Sequence, residues 1–278
     1  MASSTIDLVS VITICLNAEG TIRRTIESVL SQTYNNIEYI IIDGCSTDKT
    51  IEIINEYKNR ISHYISETDE GISDAFNKGI NMSTGKFIQI TNADDYLPKD
   101  KIEKSIELLQ QNLHYAYCFG DIILTDKNYK AQLLIKGDPS YHKVIKYFMP
   151  RINHPTVLAR KSMYNKYGLF NNKWKIGMDY DWLLRLHRKL EIGVYSDSIK
   201  VFMQLGGVSD ENWVQTQIEG MRISIHNQLN PLLAYFIFVM IYMKTLIRIC
   251  LEHIVPRQWI SYFRPGKSVV SMLNHMYW

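Results

Sequence analysis

The stretch KFIQITNADDYLPKDKIEKSIELLQQN (86–112) decides how the chain is read. KFIQIT (86–91) is a short, β-rich apolar run of the kind that forms a buried strand. Two adjacent carboxylates, Asp94 and Asp95, follow it directly. PKDKIEKSIELLQQN (98–112) then carries Ile102, Ile106 and Leu109 at helical spacing, with Pro98 expected in the first turn of the helix. Strand, acidic turn and helix in that order make half of a βαβ unit.

The same alternation extends toward the N-terminus. LVSVITICL (8–16), IEYIIID (37–43) and HYISE (63–67) read as strands. EGTIRRTIESVLSQ (19–32), STDKTIEIINEYKNR (46–60) and GISDAFNKGINMSTG (71–85) read as helices, the second opened by a Ser/Thr/Asp cluster and the third ended by Gly85. AYCFGDIILT (116–125) adds a further strand. Four strand-to-helix alternations predict an α/β fold whose mostly parallel sheet is flanked by helices on both sides. Ligands of such sheets bind beyond the carboxyl ends of the strands. Asn17, Asp43, Glu67 to Asp69 and Asn92 to Asp95 all fall at those ends.

From 126 to 205 the pattern is less regular. It predicts a hairpin around LTDKNYKAQLLI (124–135), a short helix near 140–148, a strand in PTVLAR (155–160) and a helix over 178–189, with a further helix in 208–228. The tail changes character. LLAYFIFVMIYM (232–243) is continuously apolar but shorter than the roughly 20 residues of a spanning helix. Lys244, Arg248 and Glu252 then recur every fourth residue among Leu246, Ile247, Ile249, Cys250 and Leu251. Beyond them Trp259, Tyr262 and Phe263 mingle with Arg257, Arg264 and Lys267. Aromatic and basic residues on a broad apolar helix suit a membrane surface, with a buried helix or a homo-oligomer interface as the alternative.

Composition narrows the function. The 278 residues are 46% hydrophobic and 21% charged, which supports a sizeable core. A net charge of +3 without a basic stripe gives no reason to expect nucleic acid. Cys15, Cys45, Cys118 and Cys250 lack ligand or disulfide spacing, and MASSTIDLVS lacks a secretory pattern, so a cytoplasmic location is expected.

Asp94 and Asp95 have two readings. One Asp before a helix is an ordinary cap, which explains a single carboxylate. A divalent cation, Mn²⁺ or Mg²⁺, explains both, because its charge relieves their repulsion and it takes carboxylates together with substrate phosphates. A nucleotide diphosphate suits the rest of the front half. Asn17, Glu19 and Gly20 adjoin a helix N-terminus that offers backbone N–H groups. Asp43 is placed to accept a hydrogen bond from a base, or else is a turn residue. Asp69 and Asp74 are candidates for sugar or ribose hydroxyls, and Lys78 for a phosphate. Thr13, in the first strand, and Asn92 complete the candidate donor-binding set.

Two blocks carry a family resemblance. VSVITICLNAEGTIRRTIESVLSQTYNNIEYIIIDGCSTDKT (9–50) resembles the opening of glycosyltransferase family 2, and SETDEGISDAFNKGINMSTGKFIQITNADDYL (66–97) its central block. The resemblance covers about residues 8 to 205. It implies a GT-A type fold, a UDP-sugar donor, a divalent metal and inversion at the anomeric carbon. With the tail, the chain is expected to comprise a nucleotide-sugar-binding half (1–125), an acceptor-binding half (126–228) and an amphipathic helical extension (229–278). The family's DxD motif has Asn92 in its first position here, which leaves Asp94 as the metal ligand and Asp95 as an accessory one.

The resemblance also implies a general base in WKIGMDYDWLLRLHRKL (174–190). Met178 stands where the family has Glu, and Asp179 matches its Asp, so Asp179 is the expected base. His154 in RINHPTVLAR (151–160), Asp181 and Trp174 are expected on the acceptor side, with Trp182 in the core. The activity implied is transfer of one hexose from a UDP-sugar to a lipid-linked saccharide in surface polysaccharide (O-antigen type) synthesis, at the inner face of the cell membrane. A nucleotidyltransferase is the rival enzyme, disfavoured by the glycine-poor LNAEGTIRRT (16–25). A binding module that has lost activity is the other.

Overall fold

The computed structural model describes residues 6–205, 212–254 and 267–269. Its first half runs β1 (Val9–Cys15), α1 (Ile22–Leu30), β2 (Ile37–Asp43), α2 (Thr50–Glu56), β3 (His63–Ser66), α3 (Ile72–Met82), β4 (Phe87–Asn92), α4 (Lys101–Gln111) and β5 (Tyr115–Thr125). β6 (Ala131–Ile135), β7 (Leu158–Arg160), α5 (Lys161–Tyr167), α6 (Met178–Arg188), β8 (Ile192–Gln204), α7 (Trp213–His226), α8 (Pro231–Ile254) and β9 (Lys267–Val269) follow.

These strands form one sheet in the order β3-β2-β1-β4-β7-β5-β6-β9, with β8 also on β5. β1 pairs in parallel with both β2 and β4, so the strand order reverses between β1 and β4. β7 is antiparallel to β4 and to β5, and β8 runs parallel to β5 along its whole length. The β5–β6 hairpin is the one expected from LTDKNYKAQLLI. The sheet is continuous across residue 125.

Side chains that alternate along each strand feed two cores. Ile12, Ile40, Ile42, Ile88 and Ile90 face α3 and α6, while Val11, Tyr39, Ile41 and Phe87 face α1, α2 and α4. The predicted stripe Ile102, Ile106 and Leu109 is buried in the second core. Gly79 lets α3 lie close on the sheet, since a Cβ there would sit 2.3 Å from Ile12 Cγ2.

Several boundaries differ from the sequence reading. Pro98 precedes α4 instead of opening it: its carbonyl accepts the N–H of Lys101, the first helical residue. α3 stops at Ser83, whose extended backbone ends the helix before Gly85 is reached. The region 140–148 holds only a 3₁₀ turn over Tyr141–Lys143. β8 and α5 were not anticipated. The polar run SDS (196–198) hides β8, and the β5–β8 register shifts beside it. α8 begins where Asn230 Oδ1 accepts the N–H groups of Leu232 and Leu233, with Pro231 in the first turn. Among the described residues no helix is long and apolar enough to cross a membrane. The tail is not helical throughout, since Lys267–Val269 pairs with β6. Arg257, Trp259, Tyr262, Phe263 and Arg264 lie outside the described residues.

Candidate active site

Register brings the predicted polar residues to one edge. Cys15 is level with Asp43, Asp43 with Ser66, and Ile14 with Asn92. The loops after β1 and β4 therefore flank the point where the strand order reverses, the usual ligand crevice of such a sheet. β7 runs the other way beside β4, with Gln89 opposite Leu158. Continuing that register carries the His154 turn out past the carboxyl end of β4, and Gln89 Nε2 ties it there through Pro155 O at 2.9 Å.

The loops after β1 and β2 are fastened to each other. Asn17 N–H donates to Ser46 Oγ at 2.8 Å, and Asn17 Oδ1 accepts from Thr47 N–H at 2.8 Å. Glu19 N–H donates to Asp48 at 3.0 Å while Glu19 Oε2 accepts from Lys49 N–H at 3.0 Å. Asn17 (φ 49°) and Cys45 (φ 65°) both occupy the left-handed region, a strain tolerated where a loop is over-determined by such bonds. Asp43 is fully buried and is the anchor of this arrangement. Its carboxylate accepts from Ser46 N–H, Ser46 Oγ and Ser66 Oγ. It thus shapes the loop from beneath, as the turn reading of that residue anticipated. Thr13 is corrected outright as a donor contact. It is buried in the sheet with its hydroxyl on Tyr39 OH at 3.0 Å, and offers no atom to a ligand.

The segment 67–78 forms the next wall. Asp69 Oδ1 accepts from Gly71 N–H at 2.9 Å. Its other oxygen lies so near Gly44 that a Cβ there would approach to 2.8 Å. Lys78 bonds Thr68 O at 2.7 Å and pairs with Glu67 at 3.0 Å and Asp74 at 3.2 Å, so it stands in an ion cluster that fixes this loop.

The Asp94–Asp95 turn is the most strained electrostatically. Asp95 is 1% exposed. Asp95 Oδ2 accepts from Asn92 N–H at 2.8 Å, and Asp95 N–H donates to Asn92 O at 3.1 Å, which closes the turn. Asp95 Oδ1 is buried with no hydrogen-bond partner. Burial raises the Asp94 carboxyl above its usual range. Burial, and then the neighbouring Asp94 charge, raises Asp95 well above it. An orphaned carboxylate oxygen beside a second, half-buried carboxylate is a donor set of the hard-oxygen type that Mn²⁺ or Mg²⁺ takes, with the rest of the shell left to substrate oxygens and water. Among the described residues no group of three His, Cys, Asp or Glu side chains could hold a metal unaided.

Asp179 and His154 meet across the sequence. His154 stands between the rings of Phe76 and Phe170, at centroid distances of 5.6 and 5.8 Å. Burial lowers its pKa, partly offset by the Asp179 charge. Burial raises Asp179, partly offset by His154. Asp179 lies in the first turn of α6 and accepts the N–H of Tyr180 at 2.7 Å. A half-buried carboxylate with a raised pKa next to an imidazole has the properties of a general base.

Two acceptor-side expectations fail. Asp181 is 1% exposed and spent on Arg185 Nε and Asn227 Nδ2, each at 3.0 Å, because two residues along a helix turn it inward. Trp174 is 3% exposed, so it presents no open face for a sugar to stack on. Trp182 is core, stacked on Tyr164 at 4.3 Å. Glu219 was missed. Buried on α7, its carboxylate accepts the N–H groups of Lys175, Ile176 and Gly177, at 3.2, 2.9 and 3.0 Å, just ahead of α6. Nothing in the sequence links residue 219 to residue 176.

The model for Glycosyl transferase family 2 matches residues 10–172. The chain belongs to glycosyltransferase family 2. Within that family it is similar to an uncharacterized glycosyltransferase of Haemophilus influenzae, 30% identical over 217 residues that cover 73% of this chain and 81% of the relative. It is also similar to a PGL/p-HBAD biosynthesis glycosyltransferase of Mycobacterium bovis, 24% identical over 63% of this chain and 68% of the relative. Its fold is that of GT-A glycosyltransferases. TarS 1-349 of S. aureus in complex with UDP aligns with a TM-score of 0.60 at 18% identity, covering 83% of this chain and 69% of that one. The mannosyltransferase PcManGT from Pyrobaculum calidifontis, in complex with GDP-Man and Mn²⁺, aligns at 0.62 and 14%, covering 84% and 69%. The family match contains the Asp94–Asp95 turn and His154; Asp179 and Glu219 lie beyond it.

Proposed function

We propose that this glycosyltransferase inverts configuration and moves one hexose (glucose, galactose or an N-acetylhexosamine) from a UDP-sugar to a polyprenyl-diphosphate-linked saccharide. In this reading Asp94, with Asp95 as accessory, would hold a Mn²⁺ or Mg²⁺ ion against the donor's diphosphate. The ion would supply positive charge where the departing nucleotide becomes negative. Asn17, Glu19, Asp69, Asp74, Lys78 and Asn92 line the donor side, and Asp43 supports it. Asp179 takes the proton of the attacking hydroxyl as its oxygen bonds to the anomeric carbon and the bond from that carbon to phosphate oxygen breaks. His154, whose charge interaction opposes the rise in the Asp179 pKa, would tune that base. The carrying observation is the orphaned Asp95 oxygen beside Asp94, at the same edge of the sheet as the Asp179–His154 pair. The exposed apolar face of α8, including Phe236, Met240 and Met243, supports docking at the inner membrane surface beside a lipid-linked acceptor.

The test is UDP release from a panel of UDP-sugars with a lipid-diphosphate N-acetylhexosamine as acceptor, with and without EDTA. Acceptor-dependent release that EDTA abolishes is expected. Release that persists in EDTA would remove the metal role, and nucleotide binding without turnover would favour the inactive module.

A further inference from the structure

A second charged site lies along the segment that leads into α6. A groove of about 460 Å³ opens between Lys173–Lys175 and α7. Lys173, Lys175, Arg222 and His226 converge on it from two elements, although the whole chain carries a net charge of only +3. Lys173 Nζ lies 5.0 Å over the Trp174 ring. Lys175 Nζ donates to Glu70 O at 3.0 Å, linking the groove to the wall of the donor side. Arg222 is exposed on α7 and enters no ion pair among the described residues.

Trp174 lines the groove but is 3% exposed, and its buried indole N–H is out of reach of a ligand there, so what the groove offers a ligand is charge. The single carboxylate of the lining, Glu219, keeps its charge while it accepts three backbone N–H groups, and Lys173, Lys175 and Arg222 outnumber it. The balance left over is cationic, with planar and point donors on opposite walls, which is the chemistry that recognises phosphate.

We propose that this groove binds a phosphate or diphosphate group, separate from the donor's diphosphate at Asp94. The source of that phosphate rests on the transferase reading: the headgroup of a lipid-linked acceptor, with a soluble phosphate ester as the other source. The groove adjoins the segment that carries Asp179, so an acceptor held there would be gripped next to the proposed base.

The experiment uses the full chain in EDTA, which silences any metal-mediated site. One arm titrates inorganic pyrophosphate calorimetrically. The other measures co-sedimentation with phosphatidylcholine vesicles doped with phosphatidic acid. Arg222→Gln should weaken pyrophosphate binding about tenfold, Lys173→Gln with Arg222→Gln further, and excess UDP should not displace it. Lys58→Gln with Lys99→Gln, outside the groove, should leave it unchanged. Loss in the vesicle arm as well identifies a lipid headgroup, and loss with pyrophosphate alone a soluble ester. The proposal is overturned if wild type binds in neither arm or if the groove variants change neither. Equal weakening by the distant pair, or displacement by UDP, would also overturn it. Neither arm depends on turnover, so failure here and failure of the transfer assay are separate results.

Discussion

At the scale of single residues, the chemistry rests on carboxyl groups that burial has pushed up. Asp179 is raised by burial and held back by His154. A base with a raised pKa gives a rate that climbs with pH through a range above that of an ordinary carboxylate, and the limb belongs to the pair. Replacing His154 by Gln removes the positive charge that restrains Asp179, so the acid limb of kcat/KM should move to higher pH. Asp179→Asn should lose roughly 10²–10⁴-fold in kcat with donor binding retained. The sequence places Asp94 just after a strand and Asp179 at the start of a helix, and the fold has them in the turn after β4 and in the first turn of α6. Thr13 and Asp181 were misread because a strand or helix residue can face inward, and sequence gives no sign of which partner awaits it. Trp174 was misread for the same reason: an aromatic next to polar residues resembles a sugar platform until its burial is known.

At the scale of elements, the βαβ half was legible because each strand is a short apolar run and each helix shows one apolar stripe. β2 in fact has the bounds expected of it. β8 was not legible, because its pairing partner β5 lies far back in the chain and its polar centre breaks the pattern. α7 shows what periodicity cannot show, namely how one element grips another. Its Glu219 holds the N–H groups ahead of α6, its Ser224 hydroxyl meets Tyr180 OH at 2.8 Å, and Asn227 just beyond its end holds Asp181. Three grips on the first turn of α6 fix where Asp179 stands. Glu219→Gln keeps the shape but loses the charge and leaves a donor facing donors. It should lower kcat about tenfold with the donor KM unchanged, at a stability loss of about 1–3 kcal/mol. UDP-release kinetics and a urea melt measure the two effects, and an unchanged kcat in a destabilised variant would reduce Glu219 to a purely structural part.

At the scale of the whole molecule, two properties follow from what the fold buries and what it leaves out. Lys101 is 1% exposed, with its ammonium on Gln89 Oε1. Burial pushes its pKa from 10.5 down to about 7. Between those values the unfolded chain holds a proton that the folded chain has released, so stability rises as pH rises across that window. Below it both states are protonated and the full cost of the buried charge remains. Lys101→Met should flatten the rise, read as urea midpoints from neutral to alkaline pH. The fold also leaves Leu232, Tyr235, Phe236, Met240, Met243 and Ile247 of α8 exposed, although Trp213 stacks on Tyr242 from α7 at 5.4 Å. Changing Phe236, Met240 and Met243 together to Gln should cut the affinity for anionic vesicles more than tenfold, since even one apolar side chain no longer buried is worth about 1.5–3 kcal/mol. Undiminished sedimentation would assign the face to another partner.

The central claim is that the Asp94–Asp95 turn joins a divalent ion to a nucleotide diphosphate. Calorimetric titration of the full chain with UDP, with Mn²⁺ and with EDTA, tests it directly in wild type and Asp94→Asn. Binding that needs Mn²⁺ and is lost in the variant is the expected result. Equal binding of UDP in EDTA, or binding by Asp94→Asn as tight as by wild type, would contradict it.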